Sequence, residues 1–154
     1  MTNKLKKAIV NKIIIRDMEN ADINFVVNLG NKTKELWVSN ELRFLIDRNT
    51  LKRWIKYKED DELLVAEIAN KPVGFSLTRV DYKTAEIVFI AVDKKFRKMG
   101  IGTRLLQETI RRLRKKGVIK FYLYVQSYNK RAINFYRKMK FKKGPLCYFM
   151  YKGW

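Results

Sequence analysis

The sequence contains no histidine. Imidazole metal ligands and imidazole acid–base catalysis are therefore excluded. Carboxylates, tyrosine and water remain as proton carriers for any reaction at neutral pH. There is one cysteine, Cys147, so no internal disulfide forms and no Cys/His zinc spacing exists. Without a histidine to activate it, Cys147 reads as a small buried apolar residue near the C-terminus. Two prolines and seven glycines leave little room for linkers. Long apolar runs are missing too. In the basic N-terminal stretch the run Ile13–Ile15 is stopped by Arg16 and Asp17, too early for a signal-peptide core, and no segment is long enough to span a bilayer. The expected setting is the cytoplasm, with no membrane partner and no metal.

Acidic side chains are scarce: 15 Asp and Glu face 35 Lys and Arg, a formal charge of +20. Such a surface attracts nucleic acid, anionic membranes or phosphorylated ligands. It equally serves as a solvated surface that repels its own copies, and charge alone does not choose.

The 154 residues suit one domain, and 47% hydrophobic content supplies its core. Residues 1–12 are polar and basic and read as a loose arm. Lys12–Arg16 reads as a strand, and Asn20 or Asp22 caps a helix through about Gly30. Ser39–Asp47 and Thr50–Lys58 read as short helical pieces. The period then changes: Leu63–Ile68, Pro72–Val80 and Glu86–Val92 read as an antiparallel meander. Thr103–Lys116 is a helix with Leu105, Leu106, Ile110 and Leu113 on one face, ended by Gly117. Phe121–Val125 reads as a strand parallel to Glu86–Val92, Asn129–Lys140 as a helix and Cys147–Tyr151 as a last strand. The expected class is a mixed α/β sheet, antiparallel in front and parallel behind. Asp60, Asp61 and Glu62 are expected in a solvated loop.

Between the third strand of the meander and the long helix lies Phe96-Arg97-Lys98-Met99-Gly100-Ile101-Gly102. A helix start offers free N–H groups and the positive end of the helix dipole; glycines let a phosphate approach, and Arg97 and Lys98 add charge. The dinucleotide fingerprint does not fit, because its third glycine would fall at Leu105. The P-loop order of glycine, lysine and Ser/Thr is absent as well. By itself the pair of glycines also suits an ordinary strand-to-helix turn.

The longer pattern Arg97-Lys98-Met99-Gly100-Ile101-Gly102 matches R/Q-x-x-G-x-G/A and resembles the acetyl-CoA loop of the GNAT superfamily of N-acetyltransferases. The lead-in IAVDKKF and the downstream spacing Asn129, Ala132, Tyr136 are similar to that family as well. The resemblance implies a GNAT fold whose parallel strands splay apart. It implies acetyl-CoA held by backbone at Ile90, Ala91 and Val92 and by the loop Arg97, Lys98, Met99, Gly100, Ile101, Gly102 and Thr103. Asn129 is then both helix cap and cofactor contact. Tyr136, otherwise a core aromatic, becomes the acid for the departing thiolate. The segment from Ala85, AEIVFIAV, resembles the strand that carries a glutamate base in yeast-type histone acetyltransferases. That makes Glu86 a candidate base, sharing a face with Val88 and Ile90 by strand alternation; the other reading is a surface glutamate among many lysines. The implied acceptor is an amine, on a protein lysine, a protein N-terminus or a small molecule, as monomer or homodimer. The rival expectation is a GNAT-fold module without catalysis that binds nucleic acid weakly through its basic surface.

Overall fold

The computed structural model describes residues 12–36, 46–146 and 150. Five strands form one sheet in the order β1 (Ile14–Asp17), β2 (Glu62–Ile68), β3 (Lys71–Asp81), β4 (Thr84–Val92) and β5 (Lys120–Tyr122). The first three pairings are antiparallel and β4–β5 is parallel. The turns Ala69-Asn70 and Tyr82-Lys83 close the two hairpins, with Ala69, Asn70 and Tyr82 at positive φ. Four helices accompany the sheet among the described residues: α1 (Ile23–Lys32), α2 (Arg48–Lys56), α3 (Ile101–Lys115) and α4 (Lys130–Lys138).

Alternation along the strands supplies two faces. Leu63, Val65, Phe75, Leu77 and Ala91 meet Val26, Val27 and Leu51 of α1 and α2. Leu64, Ala66 and Val73 meet Ile101 and Leu105 of α3, while Ala85 meets Leu113 further along. Of the α3 stripe expected at Leu105, Leu106, Ile110 and Leu113, the three leucines are fully buried and Ile110 is half-buried. A buried Ser76–Thr109 hydrogen bond of 3.3 Å adds a polar tie between β3 and α3.

Several boundaries differ from the sequence reading. The long helix starts at Ile101 rather than Thr103, because Gly100 takes the left-handed conformation (φ 77°) at the cap and lets the helix begin at once. The second helix is Arg48–Lys56, not Thr50–Lys58, since the Asp47 carboxylate accepts from Thr50 N at 2.7 Å and caps it earlier. The earlier helical piece, Ser39–Asp47, lies outside the described residues up to 45, and Ile46 and Asp47 are not helical. The expected strand Cys147–Tyr151 lies outside the described residues except for Met150, as does the N-terminal arm up to residue 11.

Of the acidic cluster only Asp60 lies in an exposed turn. Glu62 is a buried β2 residue paired with Lys116 at 2.9 Å and with Arg112 at 3.6 Å. Asp61 accepts Trp54 Nε1 and Val80 N, each at 2.6 Å, and so ties α2 to β3. A carboxylate with such partners tolerates partial burial, and the sequence does not show who the partners are.

Candidate functional site

The parallel pair β4–β5 is held over only three residue pairs: Thr84–Lys120, Ala85–Phe121 and Glu86–Tyr122. Beyond Tyr122 the chain leaves the ladder, so the strand stops three residues short of the expected Val125. From Ile87 to Val92 the edge of β4 turned away from β3 therefore has no strand partner among the described residues. The two segments part as expected.

At the far end of that gap sits the N-terminus of α3. Lys98 and Gly100 both have positive φ, 63° and 77°. Left-handed residues in a short loop turn successive N–H groups the same way, which makes an anion-binding concavity. The side chains of Met99 and Ile101 do not reach it: both are buried in the core under α3. Their share in holding a ligand is confined to the backbone. Gly102 lies in the first helical turn. A Cβ there would stand 3.7 Å from the Phe135 ring of α4 and 3.9 Å from Val92 Cγ2, so Gly102 marks the notch where β4, α3 and α4 converge. Thr103, half-buried, follows in the same turn.

Arg97 Nε donates to the Val92 carbonyl at 3.0 Å, which holds the guanidinium beside the mouth of the gap. Burial first, then the positive charge of Arg131, pushes its pKa below the ordinary arginine value. Arg97 thus brings positive charge to the start of α3, where a bound phosphate would be favoured. Arg131 also pairs with Glu35 at 2.9 Å, tying α4 to the turn after α1. A hollow of about 310 Å³ beside it is lined by Glu35, Tyr128, Asn129, Lys130 and Arg131. Asn129 caps α4, its side chain accepting from Ala132 N at 3.1 Å.

Tyr136 lies on α4 with its ring 5.0 Å from Phe135 and 5.7 Å from Phe141. Burial among them pushes its pKa above the ordinary phenol value, so the hydroxyl stays protonated at neutral pH. Among the described residues that hydroxyl has no hydrogen-bond partner; Tyr136 is half-buried and its oxygen is not a buried orphan.

Glu86 lies on a different face from the one that alternation suggested. The β3–β4 register shifts between Leu77–Phe89 and Thr78–Ile87, a bulge that makes Val88 an extra residue. Beyond it, Phe89 and Ala91 face α1 and α2, whereas Ile90 and Val92 face α3. Before it, Ala85 faces α3. Glu86 therefore shares the α1/α2 side with Phe89 and Ala91, not with Ile90. Across the ladder it stands opposite Arg79, whose guanidinium lies 5.5 Å from the Trp54 ring, and beside Tyr122. Burial first, then the Glu86 charge, raises the Tyr122 pKa. Glu86 and Tyr136 do not touch. One stands where β4 and β5 last pair, the other on the helix that reaches the end of β4.

Sequence reasoning missed Arg79, Tyr122, Phe135, Arg131 and Gly74. The bulge hides the first two, and α4 docking hides the next two. Gly74 had a signal: it is a glycine inside a strand pattern, and a Cβ there would meet the Ala91 carbonyl oxygen at 2.8 Å.

Residues 31–141 match the model of the acetyltransferase (GNAT) family. An uncharacterized N-acetyltransferase of Methanocaldococcus jannaschii is 34% identical over 109 residues, 66% of this chain and 46% of that protein. The ribosomal protein bS18 alanine N-acetyltransferase of Escherichia coli is 33% identical over 76 residues, 49% of this chain and 51% of that protein. The chain thus spans about half the length of these curated relatives. Among solved structures, the PaiA N-acetyltransferase of Thermoplasma acidophilum in complex with coenzyme A superposes with a TM-score of 0.75 at 22% identity, over 82% of this chain and 87% of that one.

Proposed function

The chain belongs to the acetyltransferase (GNAT) family, and from that premise we propose that it moves an acetyl group from acetyl-CoA directly to an amine. The observation that carries the reading is the parting of β4 and β5 after Glu86 and Tyr122, with the gap ending at the glycine-containing start of α3. Backbone groups of Ile90, Ala91 and Val92 line the open edge and would hold the pantetheine arm. The N–H groups from Lys98 to Thr103, with Arg97, would hold the pyrophosphate, and Asn129 would add a contact from the start of α4. Bound there, acetyl-CoA supplies the activated acetyl group.

The residues of the chain divide the proton work. An α-amino group has a pKa of about 7.7–8.0 and a lysine one of about 10.4, so either amine arrives mostly protonated at neutral pH. Glu86, as carboxylate, would accept that proton directly or through water. Tyr136 would donate to the sulfur as it leaves. Its raised pKa makes it a hydrogen-bond donor to developing thiolate charge more than a strong acid. The Val88 bulge sets the two chemistries apart, because it turns Glu86 toward the α1/α2 side while the backbone beyond it stays open toward β5.

Relatives named as N-alpha and ribosomal protein alanine N-acetyltransferases support a polypeptide N-terminus as the acceptor. The reading places the protein in the cytoplasm, and no described helix is long and apolar enough to cross a membrane. Calorimetry with acetyl-CoA and thiol release in the presence of N-terminal peptides test the proposal together. Binding with acceptor-dependent thiol release supports it. A folded protein that does not bind acetyl-CoA overturns it.

A further inference from the structure

We propose that a hollow between α2 and the β2–β3 pair takes an acidic side chain of the acceptor polypeptide, two or three residues from the amine that is acetylated; this rests on the transferase reading above. The hollow holds about 420 Å³ and is lined by Thr50, Arg53, Trp54, Tyr57, Asp61 and Arg79. That volume lies in the range of small-ligand pockets, about 300–1,000 Å³. It suits one side chain rather than a run of bases.

Its charges select an anion. Arg16 sits on Asp22 at 2.7 Å, Arg112 on Glu108 at 2.8 Å and Arg131 on Glu35 at 2.9 Å, while other arginines, Arg48 and Arg114 among them, form no ion pair among the described residues. Among the described residues Arg53 and Arg79 form no ion pair, and Arg79 rests only on the Trp54 ring. The one carboxylate in the lining, Asp61, leaves the hollow with two positive charges against one negative. Both of its oxygens are taken, one by Trp54 Nε1 and one by Val80 N. Two guanidiniums without an ion pair line the hollow beside an indole and a phenol, a donor set whose chemistry suits a carboxylate. A formal charge of +20 adds long-range attraction for an acidic segment.

Position ties the hollow to the chemistry. Arg79 is the ladder partner of Glu86 and shares its face. Facing residues of an antiparallel pair stand about 4.5–5.5 Å apart, and the next strand lies about 4.8 Å further on. The hollow is therefore about 5–10 Å from Glu86. An extended chain advances about 3.3–3.6 Å per residue, so that gap corresponds to two or three residues of acceptor.

The test uses two peptides with the same free N-terminal residue and either Glu or Gln at the third position. Wild-type protein is expected to acetylate the Glu peptide with kcat/KM at least about tenfold higher, and Arg53→Gln to bring the ratio close to one. Arg53 is exposed, so the variant is expected to fold, as circular dichroism will report. Equal use of the two peptides, or a preference that survives Arg53→Gln, overturns the inference and leaves the transferase reading intact. If neither peptide is acetylated, calorimetry decides. Binding of the Glu peptide alone, lost in Arg53→Gln, supports the hollow, and acetyl-CoA binding then decides the transferase reading separately; equal binding of both peptides overturns the hollow. Free glutamate or inorganic phosphate competing as well as the Glu peptide would also overturn it, since the hollow would then be a general anion site.

Discussion

The two faces of the sheet handle charge in opposite ways. On the α3 side, the acids are held by bases. Glu108 holds Arg111 and Arg112, Arg112 reaches Asp17, and buried Glu62 holds Lys116. On the α1/α2 side, Glu86 stands opposite Arg79 without a salt bridge among the described residues, and Arg53 and Arg79 are unmatched. One face uses charge to fasten a helix to a sheet, and the other keeps charge available. Burial alone does not distinguish them, because Glu62 is more buried than Glu86 and yet serves structure. Partners distinguish them.

Substitutions should break or sharpen that contrast. The largest effect is expected at the end of the gap. Gly102→Glu places a carboxylate in the notch between Val92 and Phe135, where the anion is proposed to lie. Acetyl-CoA affinity should fall at least about 100-fold by calorimetry, a charge-repulsion and steric loss of about 2.7 kcal/mol or more. Unchanged affinity in a folded variant would remove the cofactor assignment.

Next come the proton carriers. Tyr136→Phe should keep acetyl-CoA affinity and lose about 10²- to 10⁴-fold in rate. Glu86→Gln should lose a similar factor in rate. The raised pKa of Tyr136 means that its proton is not lost as pH rises through the neutral range, so no alkaline limb below the ordinary phenol value of 10.0 should belong to it. Wild-type rates with an unaltered pH profile would return either residue to a structural role.

Asp61 sharpens the contrast, because it lies near the open face but is wired as a fastener. Asp61→Ala orphans Trp54 Nε1 and Val80 N and should cost about 2–4 kcal/mol. For a chain of this size that is a fall in Tm of about 4–16 °C in a thermal melt. A Tm within a degree of wild type would mean that the ties contribute nothing.

The smallest effect is expected at Glu108. Its hydrogen bond from Arg111 comes first among the causes that hold its pKa down, to about 2 from an ordinary 4.5. The folded state therefore favours the carboxylate. The contribution is present above pH 4.5 and fades as pH falls toward 2. Glu108→Gln should lower Tm by less than about 4 °C near neutrality, since partly exposed pairs are weak. It should narrow the drop in Tm between pH 5 and pH 3, and leave the acetylation rate alone. A large loss of rate would mean that the closed face takes part in function.

What was legible in the sequence follows the same division. Periodicity gave β2, β3, β4 and α3 to within a few residues, because burying Leu63 and Val65 on one side and Leu64 with Leu105 on the other needs only local pattern. The loop from Arg97 to Gly102 was legible because helix starts and glycines act through backbone. The face of Glu86 was not, since one extra residue at Val88 reverses every side chain after it and no composition marks a bulge. The fate of Asp61 and Glu62 was hidden for a different reason: their partners are 7 to 54 positions away, at Trp54, Val80, Arg112 and Lys116. Tyr136 and Asn129 were found through the resemblance, while Phe135, beside Tyr136, needed the docked helix to be noticed.

The central claim is that the parted strands and the start of α3 form one acetyl-transfer site. The most direct measurement is mass spectrometry of a mixed set of N-terminal peptides incubated with acetyl-CoA and either wild-type protein or Gly102→Glu. The account predicts a singly acetylated peptide with wild type and none with Gly102→Glu. Acetylation that survives Gly102→Glu, or wild-type protein that binds acetyl-CoA and acetylates no peptide, lysine or small amine, would contradict it.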